Sequence, residues 1–243
     1  MSCSSSKKAT VDTTVARILP TFDYAVQKSA GVGTSDITIA LVNPTYVSQN
    51  AAYALSPFNI MAKAMGNDFE ELLTAKGFKI RGPFDGMGSM LFSDKKNSDF
   101  IFAVEIALNQ TGTSQYKQKR KIDWGAAIGG ATDAGIYSYT YTGKGTIGGT
   151  LTITALSPSF GEKLWKKNIE LRQVPYEFVG SIPWSNTQAT FYDHLQQDPV
   201  VHNVLVKQIE RMYVETFKLI ESQIDVEEMK TVAAEAKKAE KKN

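Results

Sequence analysis

Cysteine occurs once in the 243-residue chain, at position 3. A single cysteine excludes an internal disulfide framework and any zinc site built from several thiolates. Histidine occurs twice, as His194 and His202, which leaves little for metal ligation or acid–base chemistry. Charge of one sign is also scarce. The formal net charge is +2, so no global field draws the chain to DNA or RNA. No run approaches the ~20 apolar residues of a membrane-spanning helix. No internal repeat with a period of about 20–50 residues is visible. The sequence predicts no metal, no cofactor and no nucleic-acid partner.

What is present suffices for one core, because 42% of the residues are hydrophobic. The organisation reads as a tether over 1–16, a single domain over 17–226 and a charged tail over 227–243. The tether opens "MSCSSSKK". Buried free cysteines sit inside strands or helices, and Cys3 sits in a polar leader that cannot form a core. A chance cysteine is one reading. The sharper one is a bacterial lipoprotein junction, in which Cys3 is acylated and a Ser/Lys linker joins lipid to domain. Two or more acyl chains, each burying CH₂ groups at ~0.8 kcal/mol apiece, anchor a protein stably. Ser4, not Asp, follows the cysteine; by resemblance to enterobacterial lipoproteins this implies the outer membrane.

Apolar alternation predicts a buried strand in "DITIALVN" (36–43). A helix follows from Ser56-Pro57, the former suited to N-cap and the latter to the first helical position. Phe58, Met61, Ala62, Met65, Phe69, Leu72 and Leu73 form its apolar stripe. Gly77 stands where a left-handed residue stops the helix. Phe78 and Ile80 begin the next strand, so a right-handed strand–helix–strand crossover is expected. The segment 98–110 reads as another buried strand, with Phe100, Phe102, Val104, Ile106 and Leu108 on one face and Glu105 on the other. From 111 to 172 the pattern predicts hairpins, with a turn at Thr142–Gly145. Trp165, Ile169 and Leu171 of a later strand face the core. Residues 173–197, with Pro175, Pro183 and Trp184, read as irregular. Asp198-Pro199 starts a long helix whose stripe is Val201, Leu205, Met212, Leu219 and Ile220, flanked by Val204 and Ile209. The tail is polar all round, a solvated helix or frayed end. The fold class predicted is α+β: a mixed, mostly antiparallel sheet with one crossover helix and a long C-terminal amphipathic helix on the same face.

Motifs for chemistry are absent or incomplete. "GAAIGGATDAG" lacks the G-x-G-x-x-G spacing and no helical pattern follows it. "TGKGT" has no glycine five residues before Gly143, so it is no phosphate loop. No serine sits in a G-x-S-x-G elbow. A carboxylate pair acting on a sugar is a property of the fold, invisible in sequence. The expectation is a protein that is not an enzyme.

One stretch is charged in a patterned way: "YKQKRKIDW" (116–124). Lys117, Lys119, Arg120 and Lys121 lie between Tyr116 and Trp124. Such a patch suits an anion: a sialic-acid carboxylate, an acidic glycan, lipid phosphates or nucleic acid. The aromatic neighbours suit stacking on a sugar or base. The plain structural reading is an edge strand whose lysines block edge-to-edge pairing.

Several stretches together resemble the Helicobacter-type neuraminyllactose-binding haemagglutinin family of lipoproteins. They are "ITIALVNPTY", "LLTAKGFKI", "DFIFAVEIAL", "KQKRK" and "LTITALSPSFGEKLWKKNIEL", followed by the long amphipathic helix and Lys-rich tail. Order and spacing agree over roughly residues 37–243. The resemblance implies an outer-membrane lipoprotein described as an adhesin, surface-exposed or associated with a flagellar sheath, with no enzymatic activity. It also implies sialylated-glycan binding at Lys117, Lys119, Arg120 and Lys121. The arrangement of those cations and the Tyr/Gly stretch at 135–149 depart from the family. The partners expected are a membrane, through lipid on Cys3, and either an acidic glycan or an envelope protein. The alternative functions are a periplasmic assembly lipoprotein binding an envelope complex or peptidoglycan, and a hydrolase of envelope sugars.

Overall fold

The computed structural model describes residues 15–27, 34–122, 135–185 and 198–242. They form one mixed sheet of six strands backed by helices. In chain order the elements are β1 (Thr38–Val42), β2 (Thr45–Tyr46), α1 (Phe58–Ala75), β3 (Lys79–Phe84), α2 (Phe92–Lys96), β4 (Phe100–Ile122), β5 (Gly135–Leu156), β6 (Lys163–Ser185), α3 (Pro199–Gln223) and α4 (Val226–Lys242). The sheet order is β3-β1-β4-β5-β6, with β2 paired to β4 off that path. Strands β1, β3 and the start of β4 run parallel, and β4-β5-β6 are antiparallel. The α+β class and the long C-terminal helix stand as expected.

Local chemistry explains the elements that the pattern foretold. Helix α1 buries Phe58, Met61, Met65, Phe69, Leu72 and Leu73, its 3.6-residue stripe. It ends in a Schellman motif: Gly77 takes φ +91°, its N–H reaches Thr74 O at 2.9 Å, and Phe78 N–H reaches Leu73 O at 3.1 Å. Helix α3 is capped by Asp198, whose carboxylate accepts Val200 N–H at 2.7 Å, with Pro199 at the first helical position. The Phe69 ring packs 5.6 Å from Phe102 of β4 and 5.2 Å from Phe217 of α3, so both helices share one face of the sheet.

Five expectations need correction. First, Ser56 does not cap α1: no side chain caps that helix, and the Ser56 hydroxyl instead meets His202. Second, Thr142–Gly145 is no turn but the middle of the 22-residue strand β5, and β4 runs on beside it to Ile122. The glycines there serve ring packing instead. A Cβ on Gly143 would sit 2.6 Å from Phe178 Cε1, and one on Gly145 would sit 2.5 Å from Tyr176 Oη. Third, residues 173–185 are strand. Pro175 is tolerated because β6 ends the sheet order, where a missing N–H breaks no ladder on the outer side. A bulge at Arg172-Gln173, opposite Gly148, shifts the parity, so that Ile169 and Leu171 below it and Val174, Tyr176 and Phe178 above it all face the core. Fourth, the tail is helical, one of the two readings, but it is not solvated all round: helix α4 buries Met229, Val232, Ala233 and Ala236. Two alanines, one methionine and one valine carry its apolar stripe, so it reads as polar by sequence. Fifth, the α3 stripe centres on Val206, Ile209, Met212, Tyr213, Phe217 and Ile220, while Leu219 is exposed.

Residues 15–27 have no regular structure yet are docked lengthwise along α3. Asn203 Nδ2 donates to Ala16 O and Asn203 Oδ1 accepts Ile18 N–H, both at 2.8 Å. About two turns onward, Thr21 N–H donates to Glu210 Oε1 at 2.8 Å. Phe22 and Tyr24 then enter the core against Tyr213 and Phe217. Beneath them Asp68 of α1, a buried carboxylate, accepts Tyr24 N–H at 2.9 Å and Tyr213 O–H at 2.5 Å. Burial holds the Asp68 carboxyl above the usual carboxylate range, against the pull of those two hydrogen bonds. Burial, then the Glu221 hydrogen bond and charge, push the Tyr24 phenol up to about 12.

Candidate functional site

Beyond Ile106 the sheet continues as a three-stranded arm. Strand β2 leaves the edge of β4 where Val47 N–H donates to Ile106 O at 3.0 Å. Main-chain groups alternate direction along a strand, so those of Gln110, Gly112 and Ser114 point the same way, to an edge that no described strand occupies. Lys117, Lys119 and Arg120 follow on this edge, all exposed, and Tyr116 is 53% exposed. Lys117 pairs in register with Thr140, Lys119 with Ser138, Arg120 with Tyr137 and Lys121 with Ile136. The structure therefore strings the four cations along the β4 edge. Lys117 and Lys119 make no salt bridge among the described residues. Trp124, Cys3 and His194 lie outside the described residues, as do the glycines of "GAAIGGATDAG".

Below the cations the edge overhangs a cavity of about 390 Å³. Its walls are the β4 edge at 110–114, the Asn50–Pro57 segment and the first turns of α3; its floor includes Tyr176 and Phe178. Cross-strand registry builds that floor. Tyr141 pairs with Gly180, Gly143 with Phe178 and Gly145 with Tyr176. Each ring lies over the glycine opposite: a Cβ on Gly180 would be 2.7 Å from Tyr141 Cε2. The Tyr176 and Phe178 planes are within 5° of parallel, 6.3 Å apart. Tyr176 O–H donates to Thr111 O and accepts Gln110 Nε2–H, both at 3.2 Å, which fixes the ring. The Tyr141 hydroxyl bonds the Asp198 carboxylate at the helix cap and Val201 covers the group, so α3 pins the arm where Tyr141 pairs with Tyr116, ten residues beyond Ile106.

His202, buried in the cavity wall, lies 3.1 Å by Nε2 from Ser56 Oγ and 3.3 Å by Nδ1 from Asn203 Oδ1. Asn203 is oriented by its bonds to Ala16 and Ile18, so its oxygen faces Nδ1. The tautomer these partners favour carries hydrogen on Nδ1 and accepts from Ser56 O–H at Nε2. A serine–histidine contact is the start of a nucleophilic site. Here the third member is an amide that fastens the N-terminal segment, and no carboxylate bonds His202 among the described residues. The arrangement orients the Ser56 oxygen into the cavity as a fixed polar group.

Sequence reading placed the cations and missed the cavity. Ser56 was spent on a cap, and Pro175 masked the strand that carries Tyr176 and Phe178. The signal available was the spacing Tyr141-x-Gly143-x-Gly145 against Tyr176-x-Phe178-x-Gly180, complementary when antiparallel. Among the described residues no group of three or more His, Cys, Asp or Glu is placed to hold a metal, and no helix is long and apolar enough to cross a membrane.

No family model matches the chain, and no curated protein matches it. Solved structures do. One, described as a neuraminyllactose-binding hemagglutinin homolog from Helicobacter pylori, superposes with TM-score 0.55 at 9% identity, covering 91% of this chain and 100% of its own. A Xanthomonas campestris protein of the DUF330 family gives TM-score 0.34 at 10% identity over 84% of this chain and 94% of its own. A Neisseria meningitidis lipoprotein gives 0.27 at 12% identity over 69% and 96%. The first likeness is one of fold, and it spans the whole of that protein.

Proposed function

We propose that this chain is a cell-envelope lipoprotein, anchored through lipid on Cys3, whose domain is a non-enzymatic binding module for acidic or sialylated glycans. The observation that carries the reading is the open β4 edge, on which Lys117 and Lys119 stand exposed and without salt bridges among the described residues. Exposed ammonium groups on a strand are strongly hydrated point charges, suited to a carboxylate that stays partly wet. The fold likeness to a protein described as a hemagglutinin homolog supports the same class. An outer-membrane position and an adhesin role follow from the lipoprotein reading of Cys3 and the family resemblance together.

Two experiments test this. Intact mass of the mature protein from its host, beside Cys3→Ala, is expected to show added acyl chains on the first and none on the second; an unmodified cysteine removes the anchor. Replacing Lys119 and Arg120 together by Ala is expected to abolish binding to sialylated glycans at physiological salt. Undiminished binding removes the basic edge from the reading. Crosslinking in cells that yields one dominant envelope protein favours an assembly role.

A further inference from the structure

We propose that the end of the domain opposite the arm is a membrane-docking surface, which seats an exposed apolar wedge, Leu91 and Phe92, among anionic phospholipid headgroups held by the lysines around it. This contact belongs to the folded domain. It is independent of any lipid on Cys3 and of the β4 cations. At this end α2 leads into β4, and β5 turns into β6 through residues 157–162. Leu91 is 69% and Phe92 80% exposed. That exposure is built into the turn. The preceding Met90 is buried against Ala40, Val42 and Ile101, on the sheet face away from α1 and α3. Asp94 then fixes the chain: its carboxylate accepts Leu91 N–H at 3.1 Å and the Arg81 guanidinium at 3.2 Å, and its carbonyl accepts Ser98 O–H at 2.8 Å. With Met90 drawn inward, two adjacent large apolar side chains are held out to solvent.

Cations flank the wedge. Lys95 and Lys96 stand three and four residues after Phe92 on one helical turn, hence beside it. With Lys237 and Lys241 of α4 they line a cleft of about 350 Å³. Two carboxylates share the cleft, and both are engaged within the domain. Asp99 accepts Thr38 N–H and the Lys237 ammonium, each at 2.8 Å, and Glu240 accepts Ser159 N–H at 3.0 Å. Lys95, Lys96 and Lys241 make no salt bridge among the described residues. Phe160, next in the chain to Ser159 of the lining, adds a half-exposed ring. The occupant must therefore be apolar where Phe92 enters and anionic around it. An acidic leaflet is both: Phe and Leu lodge at the boundary of acyl chains and headgroups, while flexible lysine stems let the ammonium groups reach phosphates. A free phosphate would use the lysines and leave the wedge in water. A protein partner is disfavoured, because lysine is depleted from protein–protein interfaces.

The test uses the full chain carrying Cys3→Ala, which has no cysteine left to acylate. It is sedimented with vesicles of equal parts phosphatidylglycerol and phosphatidylcholine, and with vesicles of phosphatidylcholine alone. Binding is expected to the acidic vesicles, at least tenfold tighter than to the neutral ones. Leu91→Ser combined with Phe92→Ser, both at exposed positions, is expected to weaken it at least tenfold. Lys95→Glu combined with Lys96→Glu is expected to do the same, at about fivefold or more per lysine, and to flatten the salt dependence. Ser93→Cys labelled with a polarity-sensitive dye should shift to the blue on acidic vesicles, and Val179→Cys, exposed on the arm, should not. Lys117→Glu combined with Lys119→Glu should leave vesicle binding unchanged, which separates this surface from the glycan edge. Absence of binding to acidic vesicles, or binding that survives both sets of end variants, overturns the proposal. So does a loss confined to the Lys117 and Lys119 variant, which moves the contact to the arm. A dimer that Leu91→Ser with Phe92→Ser dissociates, without vesicle binding, assigns the surface to a second copy. Amide shifts at 95–99 with inorganic phosphate, again without vesicle binding, assign the cleft to a free anion. Either result overturns the membrane contact.

Discussion

The two halves of the sheet are held by different physics. The base, where β1, β3 and the first half of β4 lie, is a thick sandwich half: Phe100, Phe102, Val104 and Ile106 are at most 2% exposed under α1 and α3. The arm, beyond Ile106, packs on the first turns of α3 as far as Tyr141, which pairs with Tyr116. There the flat rings of Tyr141, Tyr176 and Phe178 lie between the sheet and Val201, Val204 and Leu205 of α3, each seated on a glycine one strand away. The base is stabilised by volume filled, the arm by registry kept. Volume filling tolerates repacking; a ring on a glycine tolerates no Cβ beneath it.

That contrast can be broken from either side. The largest effect is expected from Phe69→Ala, which empties a fully buried ring site shared by α1, β4 and α3. A loss of about 3–5 kcal/mol should appear in global unfolding by denaturant. Gly143→Val should cost less, about 1–3 kcal/mol, and lodge in the arm. Hydrogen exchange should accelerate in residues 111–120 and 138–146 while α1 keeps its protection. Equal loosening of the base would show that the halves unfold as one.

Asp68 gives a smaller, pH-dependent effect. Its folded pKa is raised, so between the unfolded and the folded value the native state holds a proton that the unfolded chain has released. Its contribution is full below the ordinary aspartate value and is lost as pH rises through the raised value. Asp68→Asn keeps an acceptor for Tyr24 and Tyr213, and should flatten stability across that window. An unchanged slope would place the titration elsewhere. The smallest effect, about 0–0.5 kcal/mol, is expected for Lys237→Ala, which removes an exposed ammonium 2.8 Å from Asp99.

The base was largely legible in the sequence, because helix stripes and buried alternation are local signals. Met61, Met65, Phe69 and the Gly77 stop follow from spacing alone. The arm was not, because its determinants are paired across strands. Gly143 and Gly145 look like a turn until Phe178 and Tyr176 are set opposite them, and Pro175 looks like a breaker until β6 is known to be an edge. The cations were found as a run, but the cavity depends on β2 leaving β4 at Val47, which no local pattern encodes. Helix α4 shows the limit of hydropathy: Ala233 and Ala236 are buried by proximity, not by apolar bulk.

The docked segment 15–27 gives the molecule a mechanical character. A pull applied upstream of Val15 would load first the Ala16 and Ile18 bonds to Asn203, then Thr21 at Glu210, then Phe22 and Tyr24 in the core. These contacts bear load in sequence, as a zipper does, so a gentle tug frays only the polar turns near the start of α3. The aromatic pair is the stop. A pull applied to the N-terminal side of Val15 would be taken up in a few replaceable hydrogen bonds before it reached Asp68, so the core would keep its fold while the chain lengthened by a few residues.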